Sequence, residues 1–568
     1  MPRRKDRVKE QRQHLLASEV GRRWSGQGRI RVALVFPNTY HVGMSNLGFQ
    51  IIWQKFDGRD DVSCERVFAS GDATEPRSLE SGTPLRMFDV VAFSISFELD
   101  LSRIISLLNH AGIPLLGVDR DDGEPFIIAG GVVCAMNPEP LAPYADAIFI
   151  GEAEYVIDEL FDLLARYTGG RRHRGVDTWR TGLLRALVSI PGIYVPRFYE
   201  PTYAPGGRLV ELLVRGDAPA RIERQVAGNL DAEKTASVVV TCETEFPDTY
   251  LIEIGRGCPH GCRFCLAGFV YRPFRKRSVQ RLLEWIEGET LPCHRVGLIG
   301  AALSDFPDLD RLIVSLSESV KEVGISSLRA DAITPSLVTA LAARGQRTLA
   351  IAPEAGSQRL RDVINKRLDE ETIVRAAETA GNCGITRLRL YFMVGLPWEE
   401  DEDVLAVAPL VRAMRRTFFA SNGKRITVSI NPFVPKPQTP FQWHPMAPRD
   451  VLKRRLQLLE RDLSSLGGVR ILTKSVRLAL LQGLVARGGR PVGEAIAIRE
   501  VTALSWKRAC ARAGVDMEGE LHRERRFDGL LPWDHIDVGV GRHFLWEEYR
   551  RAAQIAGRLV DGGPAPPG

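Results

Sequence analysis

At 568 residues, 44% of them hydrophobic, the chain is too long for one core and apolar enough to fill two or three. No apolar run approaches the roughly 20 residues that span a bilayer, and the basic start MPRRKDRVKEQRQHLL lacks the apolar stretch of a secretion signal, so a cytoplasmic protein without membrane contact is expected. The net charge is only +6, yet Arg412 to Arg512 holds 20 Lys and Arg against 5 Asp and Glu, which describes either a face for phosphate or a set of solvated helices.

In chain order, residues 1–28 form a basic tail, after which short apolar runs alternate with helical patterns: IRVALVF (30–36), VVAFSIS (90–96), PFIIAGGVV (125–133) and DAIFIG (146–151). Continuous apolar strands separated by helix-length segments predict an α/β fold, here a doubly wound, Rossmann-like domain over 29–165. Such sheets bind ligands at the C-terminal ends of their strands. Ser94, Ser96, Gly130-Gly131 and Gly151-Glu152 fall there. Residues 166–245, rich in Pro and Gly, are a connector, and a second series follows: YLIEIGRG (250–257), RVGLIGAA (295–302), SSLRADAI (326–333), RTLAIAPEAG (347–356), TRLRLYFMVGLP (386–397) and KRITVSINPFVP (424–435). Six βα units without reversal predict a partial (β/α)6 barrel over 246–444 whose active face lies at the strands' C-terminal ends. A mostly helical region over 445–555 and a disordered tail over 556–568 complete the chain.

Six of the nine cysteines stand singly, which is no disulfide framework, while Cys258, Cys262 and Cys265 crowd into RGCPHGCRFCLAG just after the first barrel strand. Three thiolates spaced C-x3-C-x2-C can ligate three irons of a cubane and leave the fourth iron open, with Gly257 and Gly261 allowing the tight backbone. A structural zinc site would be closed by a fourth ligand, a role His260 could fill only from an awkward position between two cysteines.

The C-x3-C-x-aromatic-C loop, with Phe264 before its last cysteine, resembles that of the radical S-adenosylmethionine superfamily. The resemblance implies that Cys258, Cys262 and Cys265 hold a 4Fe-4S cluster whose fourth iron takes the methionyl group of S-adenosylmethionine, and that a reductant such as flavodoxin or ferredoxin drives formation of a 5′-deoxyadenosyl radical. It further implies a methionyl-amine turn at Gly300-Ala301, a carboxylate partner in Arg329, ribose contacts at Glu354 and Ser357, and an adenine-backing turn at Gly395 and Pro397. The first domain resembles the cobalamin-binding fold of one class within this superfamily, and YHVGMSNLG, ERVFA, NPEPLA and PKPQTPFQWHP look like an uncharacterised bacterial subgroup of it. Ser94, Gly130, Gly131 and Glu152 would then be cofactor contacts. Where histidine-ligating cobalamin proteins carry D-x-H-x-x-G, this chain has Asn38-Thr39-Tyr40-His41-Val42-Gly43. That departure leaves three readings: cobalamin without a protein histidine, a relic sheet, or another ligand. The expected function is radical cleavage of S-adenosylmethionine, extended by cobalamin-dependent methyl transfer or a related modification, with tRNA or ribosomal RNA as one substrate class for the basic face. The alternative from another class is a non-catalytic iron–sulfur protein that binds RNA, distinguished by salt-dependent RNA binding without cofactor turnover.

Overall fold

A computed structural model describes residues 4–69, 74–168, 179–289, 294–317, 320–419 and 423–560. The GGRRHRG stretch of the connector, Cys293 and the closing GGPAPPG lie outside them.

The first sheet contains β1 (Ile30–Phe36), β2 (Val62–Phe68), β3 (Val90–Ser94), β4 (Phe126–Gly130), β5 (Ala147–Phe149) and β6 (Ile193–Tyr194), in the order β2-β1-β3-β4-β5-β6. All pairs are parallel except the edge pair β5-β6. Helices cover both faces: Ala33 and Val35 of β1 belong to the core that contains Ile104 and Leu108, whereas Val32 and Leu34 belong to the one that contains Trp53 and Phe161. That two-sided burial is why the strands are continuous apolar runs. The chain order reverses between β1 and β3, so a crevice opens at their C-terminal ends. β2 escaped the sequence pattern because VSCERVF carries buried polar side chains in place of an apolar run. Its Arg66 is satisfied by Glu19 at 2.7 Å and Glu80 at 2.6 Å, and Glu19 directly follows a helix, Arg4–Ser18, in the segment read as a tail.

The second series contains β7 (Thr249–Glu253), β8 (Arg295–Ile299), β9 (Glu322–Ile325), β10 (Thr348–Glu354), β11 (Arg387–Val394), β12 (Arg425–Pro432) and β13 (Val469–Thr473). They form two parallel sheets, β7-β8-β9 and β10-β11-β12-β13, bridged where the Leu328 N–H donates to the Ala350 carbonyl at 3.2 Å. Two details correct the sequence reading. The third strand is EVGI, so Arg329 stands in the loop after it rather than on it, at the start of a 3-10 turn. A seventh strand, β13, joins the barrel from within the segment expected to be helical; its five residues at a half-exposed edge are too few to show a period. Helices Arg449–Ser464, Val476–Arg487, Arg490–Thr502 and Arg542–Ile555 dominate the C-terminal region.

Candidate active site

The cysteine loop leaves β7 through a short antiparallel pair, Gly255–Arg256 with Arg275–Lys276, and its glycines are sterically required. Gly257 has φ +80°, and a Cβ there would lie 2.3 Å from the Tyr271 carbonyl oxygen; at Gly268 it would lie 2.3 Å from that of His260. The loop is also clamped from outside. Asn365 Nδ2 donates to the Gly261 carbonyl at 2.8 Å, and Arg263, between the last two cysteines, donates to the carbonyls of Asp362 (3.1 Å) and Val363 (2.8 Å). The Arg263 guanidinium also pairs with Glu548 of the C-terminal helix at 3.0 Å. His260 is held by Asp305 at 2.9 Å.

Burial raises all three thiols above their ordinary range, Cys265 to about 11, with the neighbouring Cys262 adding to the shift. At Cys262 the opposing influences are Lys366 and Arg329, whose positive charges favour the thiolate. Metal coordination would complete that deprotonation. Among the described residues no three His, Cys, Asp or Glu side chains converge on a single ion. Thiolates that each bind a different iron of a cubane need not converge on one point, so the donor set and its cationic flank fit a cluster rather than one bound ion.

The other predicted contacts fall into groups. Glu354, at the end of β10 with φ +69°, pairs with Lys366 at 3.3 Å. Arg329 donates to the Lys366 carbonyl at 3.2 Å and pairs with Asp331 at 2.9 Å, which keeps these three residues beside Cys262. Phe264 packs against the apolar cluster containing Ala355 and Leu396. Ser357 caps helix Gln358–Val363 and donates to Asp403, which also receives Arg359, so its hydroxyl is already engaged. Gly395 has φ +80°, and a Cβ there would lie 2.5 Å from a Leu452 methyl; its N–H donates to Glu399 at 2.7 Å, and Pro397 is buried beside it.

A cavity of about 630 Å³ joins the two sheets. Ser94, Gly130, Gly131 and Glu152 line it from the first sheet, Gly300 and Ala301 from the end of β8, and Gly257 brings it to the residue before Cys258. Gly131 has φ +114°, and a Cβ there would lie 2.3 Å from the Ile95 carbonyl oxygen. The cavity continues beneath the sheet, between Leu34, Ala92, Ile128 and Ala147 and the helices bearing Ile51 and Leu160. This apolar slot was missed from sequence, although alanines within Val/Ile/Phe strands at 92 and 147 are the signal that could have shown it. Among the described residues no histidine lines the cavity; His41 sits on helix Tyr40–Met44 and faces Glu245 at 3.2 Å.

Glu152 also welds the two sheets together. Its carboxylate accepts Arg256 at 2.8 Å and Arg275 at 2.6 Å, with Arg224 at 3.6 Å. Burial alone would raise this carboxyl, but Arg275 and Arg256 outweigh it and hold it below the usual carboxylate range.

A family model described as radical SAM proteins, N-terminal, matches residues 48–196, and one described as the radical SAM superfamily matches 252–411. The chain therefore belongs to the radical S-adenosylmethionine superfamily, and it is an enzyme of that class, whose cofactors are a 4Fe-4S cluster and S-adenosylmethionine. It is 26% identical over 465 residues to an uncharacterized protein of Methanocaldococcus jannaschii, covering 80% of this chain and 88% of that one. An uncharacterized methyltransferase of Pyrococcus horikoshii is 23% identical, covering 51% of this chain and 58% of its own length. The radical S-adenosylmethionine methyltransferase TsrM of Kitasatospora setae, with cobalamin and a 4Fe-4S cluster bound, shares the fold at TM-score 0.50 and 13% identity, covering 86% of this chain and 99% of that one. Among the described residues no helix is long and apolar enough to cross a membrane.

Proposed function

We propose that this enzyme holds its cluster on Cys258, Cys262 and Cys265, cleaves S-adenosylmethionine at the barrel mouth, and uses a corrinoid in the adjoining cavity to transfer a methyl group. The carrying observation is the cavity that runs from Gly257, beside the first cysteine, to the slot beneath the first sheet. When bound, the cluster and S-adenosylmethionine supply the reductive C–S cleavage that generates a 5′-deoxyadenosyl radical. The chain's own groups have simpler tasks. Arg329 and Lys366 supply positive charge for the thiolates and for the methionyl carboxylate, and the Gly300-Ala301 turn offers backbone carbonyls to the methionyl amine. The turn at Gly395 and Pro397 backs the adenine, and Glu354 lies within the same group as Lys366.

In the cavity, Gly130 and Gly131 let backbone approach a large ligand, and Ala92 and Ala147 leave room for its tail. Among the described residues the lining carries no histidine, which favours cobalamin held without a protein imidazole. Glu152 keeps the two halves in register through Arg256.

The test is anaerobic reconstitution with iron and sulfide, reduction, and chromatography for 5′-deoxyadenosine, with S-adenosylhomocysteine and methylated product sought in the same sample. Formation of deoxyadenosine is expected. Its absence with an intact, reduced cluster would overturn the reading.

A further inference from the structure

The face of the barrel strands opposite the helices carries an unbalanced charge. Leu388, Leu390 and Phe392 of β11 and Ile426, Val428 and Ile430 of β12 join the core that contains Ala377 and Met414 of the outer helices. By strand alternation, Arg387, Arg389 and Tyr391, and Arg425, Thr427 and Ser429, point to the inner face. Register makes the charges neighbours. Arg387 stands beside Arg425, while Arg389 and Arg470 flank Thr427 on either side. Four exposed guanidinium groups thus start within ~12 Å of one another, from strand spacing and rise. Elsewhere on the same face a carboxylate answers the arginine: Arg295 stands beside Glu322 and pairs with it at 2.7 Å. Among the described residues none of the four is ion-paired, and the hydrogen bond shown is Arg387 to the Thr348 hydroxyl at 2.9 Å.

Like charges side by side on a sheet destabilise it. Four gathered on one face without counter-charge among the described residues favour a bound anion. At β9 and β10 the same face carries Gly324 and Ala350, and a Cβ at Gly324 would have no atom closer than 4.0 Å, whereas at β8 the Leu251 side chain already lies over Gly297. Tyr391, Ser429 and Asn431 continue upward toward the C-terminal ends of the strands, and the Asn431 side-chain oxygen is buried without a hydrogen-bond partner.

We infer that the inner face of the barrel is the substrate channel and that Arg387, Arg389, Arg425 and Arg470 grip a phosphate-bearing end of the substrate, whose remainder rises along Tyr391 and Asn431 toward the reaction site. Forked guanidinium groups match phosphate oxygens bidentately, and a group with two or more negative charges offsets the cluster where a single carboxylate would not. The direction of the channel rests on the proposed reaction at the barrel mouth; the anion site itself does not.

The probe is inorganic pyrophosphate, titrated calorimetrically into the full-length protein. Binding is expected to weaken about tenfold or more in Arg389→Gln/Arg470→Gln. Arg412→Gln/Arg416→Gln, on the outer helix Val407–Phe418, is expected to bind as the unaltered chain does. Arg389→Lys, which keeps the charge and loses the fork, should be intermediate. Melting temperatures check that the variants are folded; at exposed positions the change is expected to be small and, with like-charge repulsion relieved in the inner pair, upward. No pyrophosphate binding, or equal loss from the inner and outer pairs, would overturn the inference. Single-stranded RNA binding that the outer pair abolishes, with the inner pair inert, would overturn it too by moving the phosphate site to the outer helix. Deoxyadenosine formation by the unaltered protein is scored separately. Pyrophosphate binding through these arginines without deoxyadenosine would leave the anion site standing and remove the reaction, and the converse result would do the opposite.

Discussion

The first sheet and the barrel are built from the same βα unit yet treat their second face differently. In the first sheet helices cover both faces, so a ligand has access only at the strand ends and through the slot that Ala92 and Ala147 leave beneath them. In the barrel, the outer helices cover one face; the other packs through Leu251 of β7 on Leu47 and Ile51 of the first domain, and carries arginine, tyrosine, serine and asparagine along β11 to β13. Covering a sheet on both faces turns it into a platform with an edge, and leaving part of one face uncovered turns it into a channel. Glu152 and Arg256 tie platform to channel within a few residues of Cys258.

Four substitutions separate what platform and channel each contribute, in decreasing order of expected effect. Cys262→Ala removes one of three thiolates at the mouth of the channel and is expected to abolish both iron retention and deoxyadenosine formation; iron analysis and chromatography check it. Glu152→Gln would leave Arg256, Arg275 and Arg224 partly uncompensated in a buried site, with an expected loss of about 3–5 kcal/mol in urea unfolding. The sign with pH follows from a carboxyl held below its ordinary range. Its contribution is present above the unfolded value of 4.5 and disappears as pH falls through the lower folded value, so the variant should lose that part of the acid limb.

Glu399 behaves oppositely. Burial lifts its carboxyl to about 7 despite Arg455 and the Gly395 N–H, so the folded chain keeps a proton that the unfolded chain releases. Stability should therefore fall as pH rises from 4.5 toward 7, and Glu399→Gln should flatten that slope without affecting the first domain. The smallest effect is expected from Ser94→Ala at the platform edge, within about 0.5 kcal/mol in stability.

The alternation of apolar runs and helical segments made the α/β class and both sheets legible in the sequence, because two-sided burial or helix packing leaves little freedom in composition. Two strands were not legible. Val62–Phe68 hides Arg66 and Glu65 inside, satisfied by residues distant in the chain, and Val469–Thr473 is too short at an exposed edge. The cysteine loop was visible because its chemistry is local. The charge on the inner face was not, since Arg389 and Arg470 become neighbours only through strand register, and nothing in the linear order separates them from surface arginines. The polar partners of Ser357 and Glu152 were hidden for the same reason: Asp403 and Arg275 arrive from other elements.

The account stands most directly on the cavity that joins platform to channel. Hydroxocobalamin should be added anaerobically to the cluster-loaded protein and to Ala92→Phe, and bound corrinoid measured by absorbance after gel filtration. One corrinoid per unaltered chain and little in the variant are expected, with iron content equal in both. An unaltered chain that carries its full cluster yet retains no corrinoid would contradict it.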